Sequence, residues 1–415
     1  MYRAPRGTTD ILPEEQAYWR YLEQKVAEIT HLYGYERIDL PMFEDASLFT
    51  RGVGEGTDIV EKEMYVFQDR GGNSLALRPE GTASVCRAYL EHGMHSRPQP
   101  VKLYYIGPAF RYERPQAGRY RQHGHFGCEA IGEADASLDA EVIDMARQFF
   151  VRLGLGRFAV VINSIGCRQC RPAYLAVLKE HYRPHLQEVC EDCRMRYQKN
   201  PLRLLDCKSP ACQPVADSAP KNPDYLCADC AVHYAELKRC LAVLDIPFQE
   251  NLRLVRGFDY YTRTVFEVHP EAGGSQSSLG GGGRYDGLIE ELGGRPTPAV
   301  GFATGMERIV LGLKREEVPV PQTPGPQLLI AHLGDAARDA AMKLAAALRR
   351  QGRAVLLSGG SRSLKAQLRQ AGKLGVPLVA IIGEDEVRTG TVTLRDMTTS
   401  RQESVPVDRV AELVG

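Results

Sequence analysis

GPAFRYERPQAGRYRQHGHFGCEAIG, residues 107–132, places a charged loop between two apolar runs. The runs cover residues 103–110 and 126–131, and Pro115 and Gly118 are turn formers in the loop between them. This pattern predicts a pair of antiparallel strands with a charged tip.

The loop concentrates arginine, with Arg111, Arg114, Arg119 and Arg121 beside the single acid Glu113. Because a guanidinium is a rigid, permanently charged donor fork, such a loop suits a polyphosphate. A solvated, arginine-rich surface hairpin is the competing interpretation.

Composition limits the class of protein. The chain has 415 residues, 43% of them hydrophobic, which predicts a sizeable core and two or three domains. Basic and acidic residues balance at 52 each, so a nucleic-acid partner would need local basic patches. The sequence has neither a long apolar run nor the apolar segment of a signal peptide. We therefore expect no membrane contact and a cytoplasmic location.

Eight of the eleven cysteines form four closely spaced pairs. The pairs are Cys167 and Cys170, Cys190 and Cys193, Cys207 and Cys212, and Cys227 and Cys230. Each pair can supply two thiolates to a tetrahedral zinc ion, so the spacing predicts two structural Zn²⁺ sites with four cysteines each. The spacing leaves open which pairs share a metal, and free thiols or a single site are the alternatives.

Several elements upstream and downstream of the loop follow from periodicity and turn signals. Residues 14–31 and 137–154 predict amphipathic helices, the second with Ser137 as its N-cap. Residues 75–90 predict a strand, a turn and a helix opening near Thr82. Glu80 and Thr82 then lie at a strand-to-helix corner, where they could bind a small polar ligand or only cap the helix.

Residues 254–269 predict a turn followed by a strand, with Arg256 beside a glycine and Tyr260 and Tyr261 at the strand start. The phenols could hydrogen-bond a ring-shaped ligand, or the pair could simply belong to the core. Residues 299–313 predict a strand entering a helix that carries Arg308, which could equally be a solvated side chain. The four glycines at 280–283 form no dinucleotide fingerprint, and the chain lacks a P-loop motif.

A proline- and glycine-rich linker, Thr323–Pro326, precedes alternating strand and helix patterns. These predict a small α/β domain with a mostly parallel sheet. Arg362, Lys365, Arg369 and Lys373 recur at helical spacing, as a phosphate-facing strip or a solvated face.

Four motifs and part of the cysteine-rich segment resemble class II aminoacyl-tRNA synthetases in their histidyl-tRNA synthetase form. FRYERPQAGRYRQ with GCE is similar to the second class motif, RGFDYY to a histidyl motif, and AVGFATGMER to the third class motif. LRPEGT supplies the corner with Glu80 and Thr82, and NPLRLLDCK is similar to the family's insertion. The resemblance implies an α+β catalytic domain over 1–323 with a mixed, mostly antiparallel sheet flanked by helices. It further implies an insertion where the cysteine-rich segment 167–233 lies, an α/β anticodon-binding domain at 327–415, and a homodimer.

The resemblance implies ATP-dependent ligation of L-histidine to its tRNA through a histidyl-adenylate, with Mg²⁺, releasing AMP and pyrophosphate. It assigns roles to residues as follows: catalysis to Arg256 and Arg111; histidine binding to Glu80, Thr82, His125, Glu129, Tyr260 and Tyr261; ATP binding to Arg111, Glu113, Arg119 and Arg308.

One departure stands in RQHGHFGCE, where the family commonly has glutamine and this chain has His125. A neutral imidazole can still accept a hydrogen bond, so we expect activity that falls below about pH 6.5.

Two other classes of protein compete with this interpretation. A regulatory subunit of ATP phosphoribosyltransferase generally lacks the C-terminal domain and much of the arginine set, and a zinc-bearing RNA-binding sensor would have lost the phosphate-binding arginines.

Overall fold

The computed structural model describes residues 2–54, 57–116, 118–271, 278–322, 324–360 and 362–414. The chain divides into two compact units, Met1–Val320 and Pro321–Gly415. Thr323, the first residue of the expected linker, lies outside the described residues. No helix in the described ranges is both long and apolar enough to cross a membrane.

The first unit contains eleven strands and ten α-helices within its described residues. The strands are β1 (Glu36–Arg37), β2 (Phe43–Asp45), β3 (Val66–Gln68), β4 (Ser74–Leu77), β5 (Val101–Phe110), β6 (Gln122–Ile131), β7 (Phe158–Ser164), β8 (Phe248–Glu250), β9 (Thr262–Pro270), β10 (Gly280–Arg284) and β11 (Ala299–Gly305). The helices are α1 (Gln16–Leu32), α2 (Ala46–Val53), α3 (Thr82–Glu91), α4 (Ala136–Arg152), α5 (Arg171–Tyr182), α6 (Glu191–Lys199), α7 (Gln213–Asp217), α8 (Ala228–Val243), α9 (Leu288–Glu291) and α10 (Met306–Arg315).

An eight-stranded sheet organises this unit, in the order β1-β5-β6-β11-β10-β9-β7-β8. Only the outer pairs β1–β5 and β7–β8 are parallel, so the expected mixed, mostly antiparallel sheet is confirmed. The predicted hairpin is β5–β6, with Gly107 opposite His125 and Phe110 opposite Gln122. Strands β2, β4 and β3 form a separate small sheet.

Helices α1, α4 and α10 bury apolar residues against the sheet. Leu22, Val26 and Ile29 of α1 join Phe149 of α4 and Phe126 of β6 in one core. The prediction of Ser137 as N-cap of α4 is wrong, because Asp135 caps this helix by accepting a hydrogen bond from the Ser137 N–H. The acid two residues earlier reaches the free N–H groups of the first turn.

The insertion at 167–233 is helical and holds α5, α6, α7 and the start of α8. Its two ends lie close together, since Cys167 and Cys227 approach each other to 3.8 Å between their Sγ atoms. The insertion therefore leaves and rejoins the sheet unit at one place.

The second unit contains β12 (Leu328–His332), β13 (Val355–Leu357), β14 (Leu378–Ile382), β15 (Thr391–Asp396) and β16 (Gln402–Pro406). Its helices are α11 (Asp335–Arg350), α12 (Leu364–Lys373), α13 (Glu384–Thr389) and α14 (Val410–Leu413). The prediction of a mostly parallel sheet is wrong, because β14–β15 and β15–β16 are antiparallel and only β12–β13 and β12–β14 are parallel. The edge strand β16 is exposed and mostly polar, so its sequence lacks the alternation of apolar and polar residues that predicts a strand.

Candidate active site

A cavity of about 210 Å³ lies on the antiparallel sheet, over β6, β10 and β11. It brings together nearly all of the predicted substrate residues: Glu80, Thr82, Arg111, Glu113, Arg119, His125, Arg256, Tyr260, Tyr261 and Arg308 line it. A wider cleft of about 790 Å³ shares Arg119 and Arg308 with this cavity and extends along the insertion.

Arginines line one side of the cavity. The Arg119 guanidinium lies 3.2 Å from the Glu113 carboxylate, and Arg308 donates to the Gly118 carbonyl at 3.2 Å. Arg111 donates to the Pro79 carbonyl at 2.8 Å. These contacts fix the guanidiniums in place before any ligand arrives, which makes this side a preorganised anion site.

Arg256 forms the far end of this positive side. Its guanidinium pairs with Glu267 and lies 5.7 Å from the centre of the Tyr261 ring. The two remaining loop arginines do not line the cavity: Arg114 is exposed, and Arg121 stacks 3.7 Å over the Tyr112 ring.

A buried polar corner closes the other side. The Glu80 carboxylate accepts hydrogen bonds from the N–H groups of Thr82 at 2.6 Å and Ala83 at 2.9 Å, at the start of α3. Glu80 therefore caps the helix, whereas the Thr82 hydroxyl donates to Glu129 at 2.7 Å. The corner both ends the strand-to-helix turn and presents oxygen acceptors to the cavity.

Glu129 lies just behind Thr82 and is 1% exposed. The Tyr285 hydroxyl donates to its other carboxylate oxygen at 2.5 Å. Burial raises the pKa of Glu129 to about 8, and the hydrogen bonds from Tyr285 and Thr82 oppose that rise. This carboxyl can therefore carry a proton near neutral pH.

The aromatic wall of the cavity consists of Phe258, Tyr260 and Tyr261. Phe258 and Tyr260 stack with 5.1 Å between ring centres, and Tyr261 lies 4.7 Å from Tyr260. Both tyrosines are buried, and burial raises the pKa of each phenol, so both keep their protons as donors.

Two histidines of β6 face the cavity without charge. Burial and the nearby Arg111 and Arg308 lower the pKa of His123 to about 3. Burial, His123 and Arg111 lower the pKa of His125 well below its ordinary value. The lowered pKa argues against a loss of activity through protonation of His125 near pH 6.5, because burial favours the neutral imidazole.

The sequence patterns missed two residues that line the cavity, Glu267 and Glu307, and also Tyr285, which contacts Glu129. Tyr285 follows the glycine run, Glu267 is an acid within the apolar strand β9, and Glu307 holds the Gly124 N–H at 2.8 Å. An acid in an otherwise apolar strand was the signal that could have found Glu267.

The cysteines form two clusters in the insertion. The outer cluster comprises Cys167, Cys170, Cys227 and Cys230, and the inner cluster comprises Cys190, Cys193, Cys207 and Cys212. Within each cluster all four Sγ atoms lie within 4.8 Å of one another. The two sets are therefore nested, the first pair with the fourth and the second with the third.

Both clusters have the geometry of a metal centre. Measured Sγ–Sγ distances are 3.8 Å for Cys167–Cys170 and for Cys190–Cys207. A tetrahedron with Zn–S bonds of about 2.3 Å has edges of about 3.8 Å, whereas a disulfide needs about 2.05 Å. The N–H groups of Cys167 and Cys190 point at cluster sulfurs at 3.2 Å, which stabilises thiolates. These clusters could hold metal.

Comparison with known proteins decides the family. A model described as histidyl-tRNA synthetase matches residues 7–309, and a model described as anticodon binding domain matches residues 327–415. The chain belongs to the histidyl-tRNA synthetase family. The resemblance of the sequence motifs is therefore confirmed.

Relatives from this family match over almost the whole chain. A histidine--tRNA ligase from Dehalococcoides mccartyi is 58% identical over 410 residues, covering 99% of this chain and 98% of the relative. A histidine--tRNA ligase from Desulforamulus reducens is 52% identical, covering 97% of this chain and 96% of the relative. The structure of apo S. aureus histidyl-tRNA synthetase matches with a TM-score of 0.82 and 38% identity over all of both chains.

A more distant structure bears on the competing class. The protein described as an ATP phosphoribosyltransferase regulatory subunit/histidyl-tRNA synthetase, from Bacillus halodurans, matches with a TM-score of 0.63 and 24% identity. This match covers 92% of the present chain. At that identity the likeness shows a shared fold only.

Proposed function

We propose that this chain is a histidine--tRNA ligase that couples ATP cleavage to the attachment of L-histidine to its tRNA. The observation that carries the proposal is one cavity with two chemically distinct sides. Four fixed guanidiniums suit a triphosphate, and a buried acid–tyrosine corner suits a small molecule with an ammonium and an imidazole. Membership of the family supports the same assignment.

In the first step an oxygen of the histidine carboxylate attacks the α-phosphorus of ATP. A new C–O–P linkage forms the histidyl-adenylate, and the bond to pyrophosphate breaks. Arg111 and Arg256 stabilise the charge on the α-phosphate, while Arg119 and Arg308 hold the departing phosphates and Glu113 contacts the adenine. Positioning and charge stabilisation supply the rate, since no protein nucleophile is needed.

Histidine binds in the corner beside α3. The carboxylate of Glu80 and the hydroxyl of Thr82 receive the α-ammonium, with His125 as a neutral acceptor beside them. Glu129, Tyr260 and Tyr261 surround the imidazole, whose two nitrogens need one donor and one acceptor when neutral. A partly protonated Glu129 can supply either role.

ATP enters as its Mg²⁺ complex, and the ion neutralises phosphate charge. Glu113 and Glu267 face the arginine side; Glu113 is assigned to the adenine, so Glu267 is the one that would offer an oxygen ligand to Mg²⁺. Their main part is to hold the guanidiniums, as the ion pairs Glu113–Arg119 and Glu267–Arg256 indicate.

The remaining assignments follow from the same identity. The catalytic domain would cover 1–323 with the insertion 167–233, and the unit at 327–415 would read the tRNA anticodon in the cytoplasm. A homodimer is supported by the exposed apolar rings of Phe43 and Phe67 on the small sheet, 53% and 41% exposed. Each cysteine cluster would hold one structural Zn²⁺, as its Sγ geometry supports.

Exchange of labelled pyrophosphate into ATP tests the reaction without tRNA. We expect exchange with histidine and none with the other amino acids, followed by charging of histidine tRNA alone. Exchange with no amino acid would remove the synthetase assignment and favour the regulatory-subunit class, whose binding need not include catalysis.

A further inference from the structure

The outer cysteine cluster touches the same backbone that carries the aromatic wall. Residues 165–171 form a turn that contains Cys167 and Cys170, and this turn lies against the start of β9. The Ile165 N–H donates to the Arg263 carbonyl at 2.8 Å, and the Arg263 N–H donates to the Gly166 carbonyl at 2.8 Å. Two reciprocal hydrogen bonds therefore lock the turn to the strand two residues after Tyr261.

Arg171 adds a third link from the residue next to Cys170. Its guanidinium donates to the Tyr261 carbonyl and reaches the Gly166 carbonyl at 3.4 Å. Tyr261 is 7% exposed and its ring lines the cavity. A shift of the turn would therefore be passed to the two tyrosines.

The outer cluster itself fixes the position of this turn. Gly166 has φ +69°, and a Cβ there would lie 2.7 Å from the Cys170 Sγ, so the backbone is wound closely around that sulfur. The other two ligands, Cys227 and Cys230, belong to the first turn of α8 and the residue before it. A metal joining all four sulfurs would tie the turn to α8, whereas four thiols without a metal would leave it held less firmly.

Three of the four arginines on the ATP side are held without this turn, and only Arg256 lies against the Tyr261 ring. Arg111 and Arg119 come from the hairpin loop and Arg308 from α10, and their contacts go to Pro79, Glu113 and Gly118. A displacement of the turn would thus reach the histidine side of the cavity first.

Resting on the histidine-activating function above, we propose that the metal of the outer cluster positions the tyrosine wall through Arg171. Arg171 is then a positioning residue for histidine, and the outer metal sets the affinity for histidine far more than the affinity for ATP. By reciprocity, bound histidine stabilises the metal in the outer cluster.

Substitution of Arg171 tests the link while sparing all eight cysteines. In pyrophosphate exchange we expect Arg171→Met to raise the KM for histidine by roughly 10-fold, as loss of a supporting contact around a metal site does. The KM for ATP should stay within about twofold in the same assay, because Arg111, Arg119 and Arg308 are held away from the turn and Arg256 keeps its ion pair with Glu267. Arg171→Lys keeps a donor for the Tyr261 carbonyl and should restore most of the histidine affinity.

Arg168→Met is the matched control, because it removes the same charge from the same turn. Arg168 is 53% exposed at its side chain and pairs with Glu290 and Glu291. Its KM for histidine should equal that of the wild type. Equal KM values for histidine in Arg171→Met and the wild type, or parallel rises for histidine and ATP, would overturn the proposal.

Zinc release gives a readout independent of activity. A chelator with a colorimetric zinc indicator should release two equivalents per chain, and saturating histidine should slow the release of one of them. ATP alone should not slow it, and Arg171→Met should abolish the protection. No protection in a wild type that exchanges pyrophosphate with histidine would refute the coupling alone, whereas absent exchange would refute the proposed function.

Discussion

At the scale of single residues, this protein places titratable groups where water cannot reach them. Glu129 is 1% exposed, and burial raises its pKa to about 8. The hydrogen bonds that it accepts from Thr82 and Tyr285 offset only part of the free-energy cost of burying its charged form. Such a carboxyl lowers stability, and the proposed binding of histidine would be the reason for its position.

Glu129→Gln should separate the effect of this carboxyl on stability from its effect on histidine binding. Between the ordinary carboxyl pKa of about 4.5 and the folded value of about 8, the unfolded chain has released a proton that the folded chain keeps. Stability therefore falls as pH rises through that window, and the glutamine variant escapes the fall. At pH 8 we expect the variant to be more stable by at least about 1 kcal/mol, yet poorer in histidine-dependent exchange.

Urea unfolding at pH 5 and pH 8 measures this, with the fluorescence of Trp19, the single tryptophan, as the probe. Trp19 reports on this region because its ring lies 3.0 Å from the place where a Cβ of Gly124 would stand. A variant less stable than the wild type at pH 8 would contradict the raised pKa.

His123 and His125 affect stability at acidic pH, whereas Glu129 affects it at neutral and alkaline pH. The pKa values of both histidines are lowered, to about 3 for His123. Below about pH 6.5 these side chains are therefore protonated in the unfolded chain and remain neutral in the folded chain. The free energy of unfolding should therefore fall as pH drops from 6.5 towards 5.

The double variant His123→Gln and His125→Gln should show a flatter profile over that range. Trp19 fluorescence in urea at pH 7 and pH 5 provides the measurement. The same slope in the wild type and the double variant would show that other groups carry the dependence.

At the scale of elements, strand register decides whether Glu129 fits. Gly301 of β11 lies opposite Glu129 of β6. A Cβ at Gly301 would lie 1.8 Å from a Glu129 carboxylate oxygen, which is impossible without moving the acid. The glycine is therefore required by the site and not by a turn.

Gly301→Ala should displace Glu129 and reduce kcat/KM for histidine by roughly 100-fold, since small misplacements of a binding group are that costly. Gly312→Ala in α10 is the control, because a Cβ there meets only Leu155, at 3.7 Å. Pyrophosphate exchange at varied histidine compares them. Full activity in Gly301→Ala would mean that Glu129 does not contact histidine.

The sequence predicted the elements better than their pairing. The hairpin β5–β6 followed from apolar alternation, and the corner at Glu80 from a strand, a turn and a helix start. Gly301 could not be found, because its importance exists only once β11 lies beside β6. The nesting of the cysteine pairs was equally invisible, since spacing along the chain does not say which ends meet.

At the scale of the whole molecule, charge is balanced, so contact with a polyanion must be local. In the second unit, Arg362, Lys365, Arg369 and Lys373 lie on or just before α12 and are all exposed. Within the described residues, none of them takes part in an ion pair. Four unpaired cations at helical spacing form a surface that suits an RNA backbone.

Reversing the charge on this strip should weaken the binding of tRNA and leave the activation of histidine unchanged. In the triple variant Lys365→Glu, Arg369→Glu and Lys373→Glu, pyrophosphate exchange should be unchanged, because the cavity belongs to the first unit. The KM for tRNA in charging should rise by roughly 10-fold or more at low salt, and its dependence on salt should flatten, since each lost phosphate contact removes about 0.7–0.9 from the slope. Lys343→Glu on α11 controls for a charge reversal elsewhere on the same unit, since Lys343 is also exposed. If the salt slope of the triple variant equals that of Lys343→Glu, the strip is a solvated face and the tRNA lies elsewhere.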